Sequence, residues 1–349
     1  EYNGVYSSIM PEVEIYGQKM PSFVVLCGFS VLVAVAIRKL IESRWVIYSN
    51  KSQLNGKTIV ITGATSGLGL AVTKDVVKKG ATVLMACRDL EKCMRIIDEI
   101  VKLYRISRTQ LVPMFVDLSS LESVREFSKN LLKYNRIDYL VLNAGVFMPL
   151  NEKDGEKALV RTMDGLEIHM AVNHLSHFLI TKLMLLKLRN DKTRVIIVSS
   201  MLHEYSQLDV KDINYKSGVP KVKMSGRHNN LMYNNSKQAN ILFNKELARK
   251  LEGSGAESCC ICPGLVYTDI GRYVLQKMSL WKKIAFLPVM LLFMKSPHQG
   301  IQTILFCIEE KTIVNGGFYT NCCLQVDKSE DQESQRELWR TSLELVGLD

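Results

Sequence analysis

Thr58-Ile59-Val60-Ile61-Thr62 runs directly into Gly63-Ala64-Thr65-Ser66-Gly67-Leu68-Gly69. Every residue of the first block is β-branched, which suits a pleated strand. A helical pattern follows from Gly69 to Lys79 and is ended by Gly80. Glycines permit a tight turn and a close approach of backbone to phosphate. The helix N-terminus then offers free N–H groups and a positive dipole end to an anion. Gly63, Thr65, Ser66, Gly67, Leu68 and Gly69 are therefore the expected phosphate cradle. The strand before them and the helix after supply the context that a glycine motif alone lacks.

The same alternation continues outward. Ala81 to Ala86, Leu111 to Val116, Tyr139 to Leu142, Arg194 to Val198, Glu257 to Ile261 and Phe318 to Thr320 read as strands. Leu90 to Leu103, Asp164 to Leu188 and Asn235 to Leu251 read as helices, and Ser119-Ser120-Leu121-Glu122 as a capping box opening another. Strands alternating with helices mean βαβ units and a parallel sheet. The expected class is α/β: a single doubly wound parallel sheet flanked by helices. A chain of 349 residues suits one such domain plus extras.

Composition narrows the classes. At 47% hydrophobic and 23% charged, the chain is neither disordered nor fibrous. A mean hydropathy of +0.04 excludes a polytopic membrane protein. The formal charge of +10 comes without a basic block of five, which argues against nucleic acid. Nine cysteines, including Cys259-Cys260-Ile261-Cys262 and Cys322-Cys323, lack disulfide-framework spacing. They read as strand and core cysteines in a reducing compartment, and no metal is expected.

One stretch stands apart. Met20 to Ile37 is uncharged, preceded by Lys19 and followed by Arg38, Lys39, Arg44 and Lys51. It reads as a transmembrane anchor with the bulk of the protein facing the cytosol. The expected organisation is a tail over 1–19, an anchor with its basic flank over 20–41 and a linker over 42–54. The catalytic domain follows over 55–325, then a helical tail over 326–349.

Other strand ends complete a dinucleotide site. Arg88 offers a planar, permanently charged fork to the 2′-phosphate of NADP(H), while Asp89 beside it is the competing signal for NAD. Asp117 can reach an adenine amino group. Asn143-Ala144-Gly145 leaves room for ribose and nicotinamide. Further on, Tyr233-Asn234-Asn235-Ser236-Lys237 places a phenol and an ammonium one turn apart. Lys237 is expected to draw the Tyr233 pKa towards neutrality and make it a usable acid or base. Ser200 ends the fifth strand upstream.

In this order, TGATSGLG, NAG, VSS and YNNSK resemble the classical short-chain dehydrogenase/reductase family, over roughly Asn55 to Asn321. Ala86-Cys87-Arg88-Asp89, Asp164-Gly165-Leu166-Glu167, Asn173-His174-Leu175-Ser176-His177-Phe178 and Glu337-Leu338-Trp339 resemble its retinol dehydrogenase-like branch. The oxidoreductase half of the WW-domain-containing oxidoreductase is similar in pattern. The resemblance implies a Rossmann fold and transfer of the 4-pro-S hydride. It implies Tyr233 as acid/base, Lys237 as holder of the nicotinamide ribose, and Ser200 on the substrate oxygen. It further implies Asn173 in a proton relay, and Pro263, Gly264 and Thr268 in a loop closing on the nicotinamide. His174 and His177 match helix packing residues. Cys262, Ser176 and Leu70 depart from the branch's pattern.

The segment from Gly271 to Pro297 contains the apolar run Ile284 to Met294, interrupted by Pro288 and flanked by Lys282, Lys283 and Lys295. It reads either as an interfacial segment or as an apolar flap, and both favour a bulky apolar substrate. The expected function is an NADP(H)-dependent oxidoreductase acting on a lipophilic carbonyl or alcohol, with retinal/retinol leading. Steroids and lipid aldehydes are alternatives, as is a non-catalytic cofactor-binding scaffold. The expected partners are that small substrate and membrane lipid; a homo-oligomer is left open. The expected location is the endoplasmic reticulum membrane.

Overall fold

A computed structural model describes residues 12–15, 18–48, 52–148, 151–153, 156–218, 231–267, 280–325 and 331–348. Its main sheet is built from β1 (Thr58–Thr62), β2 (Thr82–Cys87), β3 (Leu111–Phe115), β4 (Tyr139–Leu142), β5 (Arg194–Val198), β6 (Glu257–Cys262), β7 (Gly317–Thr320) and β8 (Cys323–Gln325). The spatial order is β8-β7-β6-β5-β4-β1-β2-β3. Neighbouring strands are parallel except β7 and β8, which are antiparallel. The chain leaves β1 in one direction through β2 and β3, then returns to place β4 on β1's other side. That reversal opens a crevice at the strand ends between β1 and β4, where open α/β sheets bind ligands.

The strands are near-continuously buried because helices cover both faces. Val60, Leu84, Leu140 and Val195 pack under α3 (Leu121–Leu132), α4 (Ser176–Asp191), α5 (Leu231–Leu251) and α7 (Gln332–Leu345). Their strand neighbours Ile61, Met85, Val141 and Ile196 pack under α1 (Gly67–Lys78), α2 (Leu90–Tyr104) and α6 (Gln302–Glu309). The C-terminal tail is helical in α7, whose Trp339 stands edge-on to Phe178 at 4.9 Å.

Several local expectations change. The box at Ser119 does not form: Ser119 turns back to Asp117, and Ser120 caps α3 by accepting from the Ser123 N–H at 3.3 Å. The helical stretch expected from Asp164 begins only at Ile168. It passes through a π turn, Ala171–Leu175, before α4. Pro288 does not interrupt its segment but lies inside a helix, Leu280–Phe293.

The described residues divide into two compact units, with the main sheet in the larger. The smaller holds the strands Glu12–Ile15 and Gln18–Pro21, a helix Ser22–Glu42, and the helix Leu280–Phe293. Arg38 joins its two helices by donating from Nη1 to the carbonyls of Leu292 at 3.1 Å and Met294 at 2.8 Å. Those are carbonyls at a helix C-terminus, where a cation is favoured. The expected transmembrane anchor is corrected here: among the described residues, no helix is long and apolar enough to cross a membrane. Met20 and Pro21 belong to a strand, and Arg38 and Lys39 enter the helix before its end. The uncharged helical stretch, Ser22 to Ile37, reaches about 24 Å at 1.5 Å per residue, short of a hydrocarbon core of about 30 Å.

Candidate active site

Thr62, the last residue of β1, fastens the floor of the crevice. Its Oγ1 accepts from the N–H groups of Asn143 at 2.9 Å and Ala144 at 3.0 Å, and meets His177 Nε2 at 3.0 Å. Asn143 Nδ2 donates to the Thr62 carbonyl at 2.9 Å. Asn143 thus ties the ends of β1 and β4 together at the reversal of strand order. The small Gly145 follows it. A side chain there would meet Asn173 Oδ1 at 3.2 Å and Lys237 Nζ at 3.4 Å.

At the glycine turn, Gly63 and Gly67 take left-handed φ values of +68° and +52°, which glycine adopts without strain. Ser66 precedes α1 in an extended conformation and makes no side-chain cap. The first N–H groups of α1 therefore have no side-chain acceptor from Ser66, as an anion site requires. A Cβ on Gly69 would run into the Gly63 carbonyl and lie 2.7 Å from Asn143 Nδ2, so this turn admits no larger residue. Leu68 and Val266 both press on Gly300, where a Cβ would come within 2.9 Å and 2.7 Å of them. Gly300 thus packs against both the glycine turn and the loop after β6. In that loop Pro263 is buried and Gly264 has φ +82°. Thr65 stands in the same turn. Thr268 lies outside the described residues, as does Gly271 to Met278.

Beyond β2, Arg88 and Asp89 separate. Asp89 is the N-cap of α2 and accepts from the Lys92 N–H at 2.8 Å. Arg88 is exposed and has no hydrogen bond or ion pair among the described residues. Past β3, Asp117 Oδ1 accepts from Ser119 N at 2.9 Å and Ser119 Oγ at 2.6 Å. These bonds hold its carboxylate at the strand end.

The reactive end is gathered from three elements. Ser200 follows β5, and its Oγ accepts from the Leu202 N–H at 3.2 Å. Its hydroxyl also lies near enough to the phenol of Tyr233 on α5 to favour the ionised phenol. Lys237, one turn on, donates from Nζ to the Val198 carbonyl at 3.0 Å. An ammonium has three donors, and Nζ has no other hydrogen-bond partner among the described residues. Ser199 Oγ donates to the Lys237 carbonyl at 2.8 Å, pinning α5 to β5. Asn173 sits in the π turn, a distortion frequent at functional sites. It accepts from Val146 N at 2.7 Å and donates to Val146 O at 3.1 Å and Ser236 Oγ at 2.9 Å. The structure thus brings Asn173, Ser200, Tyr233 and Lys237 to one end of the crevice, with Gly145 between Asn173 and Lys237.

Electrostatics depart from expectation. Burial pushes the Tyr233 phenol up to about 12, with the nearby Ser200 hydroxyl opposing it only in part. Burial also lowers Lys237 to about 8. Lys237 is not among the groups that lower the phenol: its Nζ lies over the Tyr233 ring, 5.6 Å from the centroid, and gives its hydrogen bond to the Val198 carbonyl. Tyr233 is therefore a protonated, neutral donor near neutral pH.

Sequence reasoning passed over Phe147, whose ring stands edge-on to Tyr233 at 4.8 Å, and over the buried pair Glu167 and His169. Phe147's place two residues after Gly145 was the available signal. Of the packing histidines, His174 Nδ1 meets Asn240 Oδ1 at 3.3 Å and Nε2 meets Ser342 Oγ at 3.0 Å, while His177 meets Thr62.

The profile of the short chain dehydrogenase family matches residues 57–211. Retinol dehydrogenase 11 from Homo sapiens is 34% identical, the match covering 91% of this chain and 93% of that protein. Retinol dehydrogenase 14 from Mus musculus is 35% identical over 84% of this chain and 87% of that protein. A solved structure from Mycobacterium paratuberculosis matches with a TM-score of 0.64 at 27% identity, covering 86% of this chain and 98% of that one. A short-chain dehydrogenase/reductase of unknown function from Caenorhabditis elegans, solved with cofactor, shares the fold with a TM-score of 0.59 at 21% identity, over 75% and 92%. With relatives 34–35% identical and matched over most of both chains, the chain belongs to the short-chain dehydrogenase/reductase family of oxidoreductases, in its retinol dehydrogenase-like branch.

Proposed function

We propose that this protein is an NADP(H)-dependent oxidoreductase that interconverts a carbonyl and an alcohol on a bulky apolar substrate, with retinal and retinol the leading pair. The observation that carries the reading is the gathering of Asn173, Ser200, Tyr233 and Lys237 at one end of the crevice, where the buried Lys237 keeps ammonium donors in reserve. The bound nicotinamide would supply or accept the hydride. In reduction, Tyr233 gives its proton to the substrate oxygen as negative charge develops there, and the Ser200 hydroxyl orients that oxygen. In oxidation the same proton returns to Tyr233. Lys237 holds the ribose hydroxyls with its remaining donors. The first N–H groups of α1 receive the pyrophosphate.

The preference for NADP(H) rests on Arg88 and Asp89. Capping α2 engages one oxygen of the carboxylate that would otherwise bind a ribose 2′-hydroxyl. The adjacent guanidinium remains open to a phosphate. The retinoid assignment draws on the names of the relatives. The test is cofactor consumption with retinal, and with steroid and aliphatic carbonyls beside it. NADPH should be consumed with retinal, and NADH far more slowly. Consumption with none of these carbonyls would favour the non-catalytic scaffold.

A membrane location is proposed for the smaller unit. Phe29, Leu32, Leu40, Trp281 and Leu291 are all more than 60% exposed there, more apolar surface than a soluble unit of this size ordinarily leaves bare. Lys39, Arg44, Lys282 and Lys283 accompany them, a composition suited to an anionic lipid interface. The cytosolic face of the endoplasmic reticulum is the location this reading favours.

A further inference from the structure

Glu167 and His169 take no part in the chemistry proposed above, yet they are 1% and 2% exposed and lie 2.7 Å apart through Oε1 and Nδ1. The direction of the bonds is fixed from one end. The Met148 N–H donates to His169 Nε2 at 2.9 Å, so Nε2 carries a lone pair and the ring proton sits on Nδ1, donated to the carboxylate. Glu167 Oε2 accepts from the Met170 N–H at 2.8 Å, and the Glu167 N–H donates to Asn214 Oδ1 at 2.8 Å. With both ring nitrogens engaged, His169 is not free to carry a substrate proton. What it does hold is the backbone at Met148. Two residues earlier, Val146 is bracketed by Asn173. Between these fixed points stands Phe147, edge-on to Tyr233 at 4.8 Å and 72°. His169 itself is edge-on to Tyr233 at 6.3 Å.

We propose that Glu167 and His169 form a positioning pair that, through the Met148 amide, holds Phe147 against Tyr233 and so sets the geometry and dryness of the phenol. The proposal rests on the reading of Tyr233 as the proton carrier. A charge-assisted Glu167–His169 bond makes Nε2 a stronger acceptor and the loop a firmer wall. The dryness matters because burial is what raises the Tyr233 pKa.

Glu167→Gln tests this without changing shape. An amide cannot accept from both His169 and Met170. It must present its NH₂ to one of them, which either flips the imidazole proton onto Nε2, against the Met148 N–H, or unseats Met170. In the full chain assayed with NADPH and retinal, Glu167→Gln should lower kcat on the order of 10- to 100-fold, the scale of a small misplacement of a catalytic group. The dissociation constant for NADPH should be unchanged. The basic limb of the kcat/KM profile should move to lower pH as water reaches the phenol. His169→Leu should reproduce the loss, and His169→Gln, which keeps an acceptor for Met148, should restore most of it. This second pair carries the test if Glu167→Gln does not fold. Wild-type kcat and an unmoved pH profile in Glu167→Gln and His169→Leu, with Tyr233→Phe inactive, would overturn the proposal alone. Turnover near wild type in Tyr233→Phe would overturn the reading of the site, and the proposal with it.

Discussion

Tyr233 and Lys237 face the same environment with opposite consequences. Burial disfavours the charged form of each, so the phenol holds its proton more tightly and the ammonium less. Tyr233→Phe removes the hydroxyl that exchanges a proton with substrate. Turnover should fall by about 10²- to 10⁴-fold, the usual worth of general acid–base help, while NADPH still binds. Turnover close to wild type would exclude Tyr233 from the proton transfer. Arg88 is read out differently. Arg88→Ala should weaken NADPH by roughly 10- to 150-fold, the equivalent of a lost charge-assisted hydrogen bond of about 1.5–3 kcal/mol, and leave NADH nearly unchanged. Equal losses, measured by fluorescence titration of both cofactors, would show that the guanidinium does not read the 2′-phosphate.

Between elements, the buried histidines of the π turn and α4 act as pegs. His174 joins α5 and α7 through Asn240 and Ser342, and His177 reaches Thr62 at the end of β1. Burial lowers His174 to about 4 and His177 to about 3, both below the 6.5 of a free imidazole. The unfolded chain therefore takes up these protons first. Their contribution is intact above about pH 6.5 and is lost as the pH falls towards 4 and 3. At about 1.4 kcal/mol per unit, His174 alone accounts for about 3 kcal/mol by pH 4. Urea unfolding at pH 7 and pH 4.5 should show a markedly less stable protein at the lower pH, and His174→Gln should flatten that slope. An identical slope in the variant would show that His174 does not titrate on unfolding.

The strands, the glycine turn and the Tyr-Lys spacing were legible because each depends on near neighbours in sequence: β-branched runs, positive φ, and positions one helical turn apart. What depended on tertiary contact was not. Asp89's engagement as a cap, the 5.6 Å between Lys237 and the Tyr233 ring, and the Phe147 wall each require knowing which elements meet. Pro288 inside a helix is of the same kind. The expectation of a break follows from local propensity, and it fails where the helix is joined to a neighbour through Arg38.

At the scale of the molecule, a catalytic unit built on the sheet is joined in one chain to a small helical unit rich in exposed apolar side chains. Full-length protein should co-sediment with vesicles containing anionic lipid, and Trp281→Ser with Leu291→Ser should release it while soluble turnover persists. Recovery of the wild-type protein in the supernatant would remove the membrane from the account. The central claim is hydride transfer between NADP(H) and a lipophilic carbonyl, and isotope transfer tests it most directly. The full chain is incubated with retinal and NADPH carrying deuterium at the 4-pro-S position, and the product is analysed by mass spectrometry. The account predicts retinol carrying one deuterium at the former carbonyl carbon, formed in step with NADPH loss and far more slowly from labelled NADH. NADPH loss without deuterium in the alcohol, or no reaction with retinal or any other carbonyl offered, would contradict it.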